Sequence, residues 1–236
     1  PPGGPGQDRE PRRRRSAAAA GQGLRPPRGG SRGSAGLPRR GPLSDEATHA
    51  LSRISSQAER MTTLVEDLLL LARLDAGRPL ERAEVDLTRL VLDAVSDAHA
   101  AGPDHRWQLD LPDEPVTVTG DASRLTQVLT NLLANARTHT PPGTAVTVTL
   151  AAGAGTARVG VVDAGPGVPT DLLPHVFERF ARGSTSRSRH DGSTGLGLAI
   201  VSAVVAAHGG DVSVTSRPGH TEFAVRLPME PVPVHS

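Results

Sequence analysis

The sequence predicts an α+β fold in which short strands alternate with amphipathic helices, preceded by one long amphipathic helix and a disordered N-terminal segment. Three observations predict it. Residues 1–43 are drawn largely from Arg, Gly, Pro and Ala; residues 44–79 carry an apolar repeat in alternating steps of four and three; from Glu84 onward, period-two and helical apolar patterns interleave. With 236 residues there is room for one medium domain plus appendages.

Arg, Gly, Pro and Ala fill 33 of the first 43 positions, leaving too little apolar surface to offset the entropy of ordering, so this segment is expected to be disordered. It holds ten Arg against Asp8 and Glu10, a net of +8, which leaves −7 on the remaining residues within a chain total of +1. Such a tail could meet nucleic acid or an acidic membrane. The composition fits a linker or an out-of-frame stretch of GC-rich DNA better, and no specific nucleic-acid partner is expected.

Order is expected from Ser44, which stands as an N-cap before Asp45 and Glu46, with Gly77 as a stop and Pro79 beyond it. Between them Ala47, Leu51, Ile54, Ala58, Met61, Val65, Leu68 and Ala72 form a heptad seam on a helix about 45 Å long. Such a seam wants partner helices. Val85 to His99 reads as a further amphipathic helix, and "RWQLDL" and "VTVTG" read as strands. Asp121 to Thr138 is a helix whose apolar face is Leu125, Val128, Leu129, Leu132, Leu133 and Ala136. Asn131 and Asn135 lie along its polar side, where asparagine lowers helix propensity and asks for a reason. "AVTVTL" and "ARVGVVDAG" read as a hairpin turning at Gly153 and Gly155, Leu198 to His208 as a helix, and "DVSVTS…TEFAVRLP" as a closing hairpin. Residues 80–230 then make one domain and 231–236 a tail.

"GSTGLGLAI", Gly192 to Ile200, is a glycine-rich loop before a helix, an arrangement that cradles phosphate with backbone N–H groups. Yet the chain has no lysine; all 26 basic residues are Arg. A P-loop and a Ser/Thr/Tyr-type protein kinase both need a lysine, and neither can exist here. Ile200 stands where a Rossmann fingerprint needs its third glycine. With no Cys, disulfides and thiolate zinc sites are excluded, and no two His have metal-ligand spacing. The longest strongly apolar run, Leu68 to Ala72, is far short of a membrane span, so the chain as given is expected to be cytoplasmic.

Four stretches then resemble the boxes of sensor histidine kinases, in the family's order and spacing. "NLLANARTHTP" resembles the N box, "VVDAGPGVP" the first glycine box, "VFERFARG" the F box and "GSTGLGLAIV" the second glycine box. The likeness covers about residues 44–229. It implies the Bergerat-type ATP-binding sandwich, a mixed sheet packed on helices, preceded by the second helix of a dimerisation hairpin over 44–79. It also implies ATP and Mg²⁺ as cofactors, a response regulator as partner, and a homodimer through the heptad helix, with any membrane attachment through parts outside this chain.

By that resemblance Asp163 accepts from the adenine amino group, Gly165 and Gly167 let the backbone turn beside the base, and Asn135 ligates Mg²⁺ with Asn131 in support. Gly195, Leu196 and Gly197 present N–H groups to the phosphates, Phe177 and Phe180 anchor a lid, Arg179 and Arg182 reach toward the phosphates, and Thr221 lies near the nucleotide. Two departures stand out. Thr138 occupies a position that is usually basic, with Arg137 and His139 beside it. No His opens an H-E/D-x-x-x-P phosphoacceptor box: His49 is followed by Ala50. The function implied is phosphoryl transfer from ATP to a histidine and then to a response-regulator aspartate, with no acceptor box recognisable in this chain. An ATP-binding module of little kinase activity, or a serine kinase of the same superfamily, are the alternatives.

Overall fold

The structure, a computed structural model, describes residues 45–181 and 194–229. The 1–43 segment, Arg182 and the 231–236 tail named above lie outside the described residues. The long helix α1 spans Asp45–Asp75. It ends as the sequence implies: Gly77 adopts φ +65°, Gly77 N–H donates to Leu74 O, and Arg78 N–H donates to Arg73 O at 3.2 Å. That pair of bonds is a Schellman motif, and it needs the left-handed residue that glycine supplies without strain.

Helix α1 has two faces with different fates. The heptad seam stays in solvent, with Leu51 51 %, Ile54 64 % and Met61 62 % exposed. Leu70 and Leu71 are buried, and Leu64 and Leu74 pack beside them against the core of the domain that follows. The seam is therefore not what joins α1 to that domain.

Strand β1 (Ala83–Asp86) pairs antiparallel with β3 (Thr117–Gly120) as a two-stranded sheet. Helix α2 runs over Leu87–Ala101. The expected helix start at Val85 is two residues early, because Asp86 takes extended geometry and its side chain caps Arg89 N–H at 2.9 Å. Helix α3 (Ala122–His139) is capped the same way by Asp121. The larger sheet has the order β2-β4-β5-β7-β6, from β2 (Arg106–Asp110), β4 (Ala145–Gly153), β5 (Thr156–Asp163), β6 (Asp211–Arg217) and β7 (His220–Pro228). Strand β2 runs parallel to β4 and the other pairs are antiparallel, so the sheet is mixed as expected. The β4–β5 hairpin turns through Ala154 and Gly155, both at positive φ, as a tight two-residue loop requires.

Strand alternation sends Val146, Val148, Leu150, Val159, Val161, Phe223, Val225 and Leu227 to one face, all buried. The apolar face of α3 lies in the same core, with Leu132 fully buried. Helix α4 (Gly197–Ala207) is apolar nearly all round and packs against α3, α1 and β6. At its end His208 donates from Nδ1 to Val204 O and accepts the Asp121 N–H at Nε2, tying the C-terminus of α4 to the start of α3. Among the described residues no helix is long and apolar enough to cross a membrane.

The two faces of α1 make separable predictions. Leu71→Ala is expected to cost about 2–5 kcal/mol of folding stability in a denaturant titration. Replacing Ile54 and Met61 together by Ala should change stability by about 0.5 kcal/mol or less per site. If two copies pair through the exposed seam, the same double variant should lower the mass that light scattering reports.

Candidate functional site

The end of β5 places a carboxylate where a strand of valines would predict another apolar side chain. Asp163 shares its face with Val159 and Val161, and it is only 5 % exposed. Its register partner on β7 is Thr221, 3 % exposed. Asp163 Oδ1 accepts the Gly165 N–H at 2.9 Å. Burial pushes the Asp163 pKa upward; the Gly165 hydrogen bond and the nearby His220 and His139 oppose the shift without cancelling it.

The glycines here are required by contact. A Cβ on Gly165 would fall 2.5 Å from Thr140 Cγ2. Gly167 sits at φ +87°, with the Arg217 carbonyl carbon 3.0 Å from where its Cβ would be. Gly219 N–H donates to Gly165 O, so the β6–β7 turn braces the same loop. The Thr221 hydroxyl is 2.9 Å from Ser216 Oγ, which in turn accepts the Val168 N–H at 2.8 Å. Ser216 and Thr140 are site residues that sequence reasoning missed. Each lies in a conventional strand or helix-end position whose importance appears only across the fold.

Helix α3 carries the other half of the site. Asn131 and Asn135 stand one turn apart on its flank. Asn131 Nδ2 donates to Gly197 O at 3.2 Å, which pins the start of α4 to α3. Asn135 is half-buried, and its carboxamide has no hydrogen-bond partner among the described residues. Gly195 takes φ +70° and its carbonyl accepts the Phe180 N–H at 2.9 Å. Leu196 is fully buried and holds the N-cap position of α4, so Gly197 and the two residues after it carry helix-start N–H groups without intrahelical partners.

The residues of the F-box-like stretch divide. Phe177 packs edge-on against Phe223, ring centroids 6.2 Å apart. Phe180 is 55 % exposed at φ +62°, so its backbone, through Gly195, does the holding. Arg179 donates from Nη2 to Asp75 Oδ2 at the end of α1, which directs it to the long helix. An open cleft of about 360 Å³ lies where α1 meets this loop, lined by Ser56, Glu59, Arg60, Thr63 and Thr194. Among the described residues no group of three or more His, Cys, Asp or Glu could hold a metal.

The family profile described as "Histidine kinase-, DNA gyrase B-, and HSP90-like ATPase" matches residues 120–231. The profile "His Kinase A (phospho-acceptor) domain" matches residues 12–77. That second match extends from the 44–79 stretch back into the Arg/Gly/Pro/Ala-rich one. The probable sensor histidine kinase TcrY of Mycobacterium tuberculosis is 62 % identical over 92 % of this chain and 46 % of its own length. The chain thus spans about half of the curated relatives it matches. The solved mycobacterial sensor histidine kinase MprB is 32 % identical at a TM-score of 0.56, covering 64 % of this chain and 99 % of that one. Full-length ShkA, solved in complex with AMPPNP, is 29 % identical at a TM-score of 0.69, covering 81 % of this chain and 41 % of that one.

The buried carboxylate predicts a pH signature. Because the folded-state pKa of Asp163 is raised, the folded chain binds more protons than the unfolded one as pH falls through it, and this group disfavours folding most at neutral pH. Asp163→Asn should be at least as stable as the parent near neutrality in urea titrations. The gap should close as pH drops through the raised pKa toward the ordinary carboxylate value. Gly165→Ala should instead cost about 1–3 kcal/mol through overpacking against Thr140.

Proposed function

We propose a function on the premise that this chain belongs to the sensor histidine kinases of two-component systems: it binds ATP with Mg²⁺ between the end of β5, the flank of α3 and the start of α4, for transfer of the γ-phosphate to a histidine and onward to a response-regulator aspartate. The buried Asp163 carboxylate, aligned by the Gly165 N–H, carries the reading. An adenine amino group is a donor that needs a rigid acceptor, and a carboxylate so held supplies one. Gly165 and Gly167 leave the base room that a Cβ would take. The AMPPNP in the related ShkA structure supports a nucleotide in this kind of site.

The phosphates belong at the other half. The N–H groups at the start of α4 suit an anion, with Asn131 fixing that helix start and Gly195 supplying the turn before it. Asn135 offers an unpartnered carboxamide oxygen, a donor that fits Mg²⁺, which binds through few protein ligands and completes its shell with phosphate oxygens and water. When bound, the cation neutralises phosphate charge that other kinases meet with lysine. Thr221, locked to Ser216, keeps the loop after Gly167 in place. Phe177 and Phe180 anchor the two sides of the lid start, and Arg179 ties that start to α1.

The acceptor is the incomplete part. His49 is the sole histidine within residues 12–77, it lies exposed on α1, and Ala50 follows it where the family has a carboxylate. Phosphoryl transfer gains most of its rate from an acceptor held in line with the γ-phosphate, and from a base beside it. His49 has the second of these nowhere next to it in sequence. The exposed seam of α1 supports a homodimer, and a response regulator is the onward partner of the whole protein.

Three measurements test this. In Asp163→Asn the carboxamide oxygen still accepts from Gly165, which turns its NH₂ toward the adenine NH₂. ATP affinity should fall about 10- to 100-fold by calorimetry, and an unchanged affinity overturns the site. Asn135→Ala should weaken ATP binding with Mg²⁺ present and leave it nearly unchanged in chelator. Incubated with γ-labelled ATP, the chain alone should gain no acid-labile label; label that vanishes in His49→Gln would identify His49 as the acceptor.

A further inference from the structure

His105 is buried beside the base half of the site without reaching it, and we propose that it is a positioning residue for the nucleotide base, acting through Thr140 on Gly165 and Asp163. The inference rests on the reading of Asp163 as the adenine acceptor. His105 sits in the turn between α2 and β2, its backbone N–H donating to Gly102 O. Its ring is 8 % exposed and tilts against Trp107, centroids 5.9 Å apart, while Trp107 Nε1 donates to the same Gly102 carbonyl.

The hydrogen-bond directions follow from valence. Thr140 Oγ1 lies 2.8 Å from Ala136 O, which can only accept, so the hydroxyl proton goes there. His105 Nε2 lies 3.0 Å from the same Oγ1 and must then be the donor. The neutral ring is thus the Nε2–H tautomer, and Nδ1 is left buried with no partner. A fold that leaves a ring nitrogen unpaired to keep this one bond is holding Thr140 for a reason.

That reason is the rotamer of Thr140. A threonine hydroxyl can reach a carbonyl of the preceding turn from more than one χ1 well, so the bond to Ala136 alone does not select one. The second bond, from His105, does. With the hydroxyl held between Ala136 and His105, the methyl Cγ2 is directed at Gly165, 2.5 Å from where a Cβ there would stand. Gly165 N–H in turn sets Asp163 Oδ1. Loss of the His105 donor frees the methyl to rotate away, the Gly165 turn loses its wall, and the carboxylate loses its aim.

The test is base discrimination in the full chain, by calorimetry with ADP and with inosine diphosphate, which lacks the 6-amino group. The parent should prefer ADP. His105→Phe keeps a ring and deletes the donor; it should lower ADP affinity about tenfold and leave the weaker inosine diphosphate binding unchanged, so the preference narrows. His105→Gln, with an amide donor, should restore most of it. Thr140→Ser keeps both hydrogen bonds and removes only the methyl, so it should narrow the preference too, and it serves where His105→Phe does not fold. Equal loss for both nucleotides, or an unchanged preference in Thr140→Ser, overturns the proposal. Asp163→Asn separates the two levels. If it abolishes the preference while His105→Phe does not, the His105 role alone falls; if it keeps the full preference, the adenine reading falls and this inference with it.

Discussion

Helix α3 has to do two things with one surface, and the rest of the molecule follows from that constraint. Its apolar face, Leu125 through Ala136, seals the inner face of the five-stranded sheet, where Val146, Val161 and Phe223 are buried. Burial on this scale fixes the rotation of the helix about its axis. Once that rotation is fixed, Asn131 and Asn135 are carried on the flank toward α4, and Thr140 is brought against Gly165. The site is therefore built on a rigid element whose orientation is set by the core, so a ligand need not organise it.

The second consequence concerns charge. In the proposed reading, a nucleotide site without lysine meets polyphosphate with backbone N–H groups and a carboxamide, together with a cation that would arrive with the nucleotide. Arg179, in the stretch that resembles the F box, is committed to Asp75. Exposed ion pairs contribute little stability, so this one matters as a geometric tie between the lid start and α1. The same helix end buries Leu70 and Leu71 and also Asp67, whose pKa burial and the neighbouring Glu66 push upward. Family membership gives this tie its sense: α1 falls within the match to the phosphoacceptor profile, and the ATPase-like domain packs on the face of α1 opposite the exposed seam.

Much of this was legible in the residues. The heptad seam, the Gly77 stop, the two asparagines at helical spacing and the strand that runs into Asp163 are local patterns, and local patterns are what periodicity and turn chemistry report. The four boxes pointed to the family and its ATPase-like domain. The start of α2 falls two residues later than expected because the spacing of Val85 also fits the apolar face of the helix, and Asp86 as a cap decides it only once β1 has a partner in β3.

By itself the sequence determined the order of elements, the mixed sheet on helices and the strand that ends in a carboxylate followed by glycines, because each is written in short-range spacing. Only the tertiary structure decided which face of α1 meets the domain, that Arg179 turns to Asp75, that Phe180 holds by its backbone, and that Ser216, Thr140 and His105 stand behind the site. Each of those is a contact between residues far apart in the chain, such as His105 with Thr140 or Asp75 with Arg179. A single residue in a sequence carries no sign of such a partner; packing supplies it, because burial selects one rotation of each helix and one face of each strand.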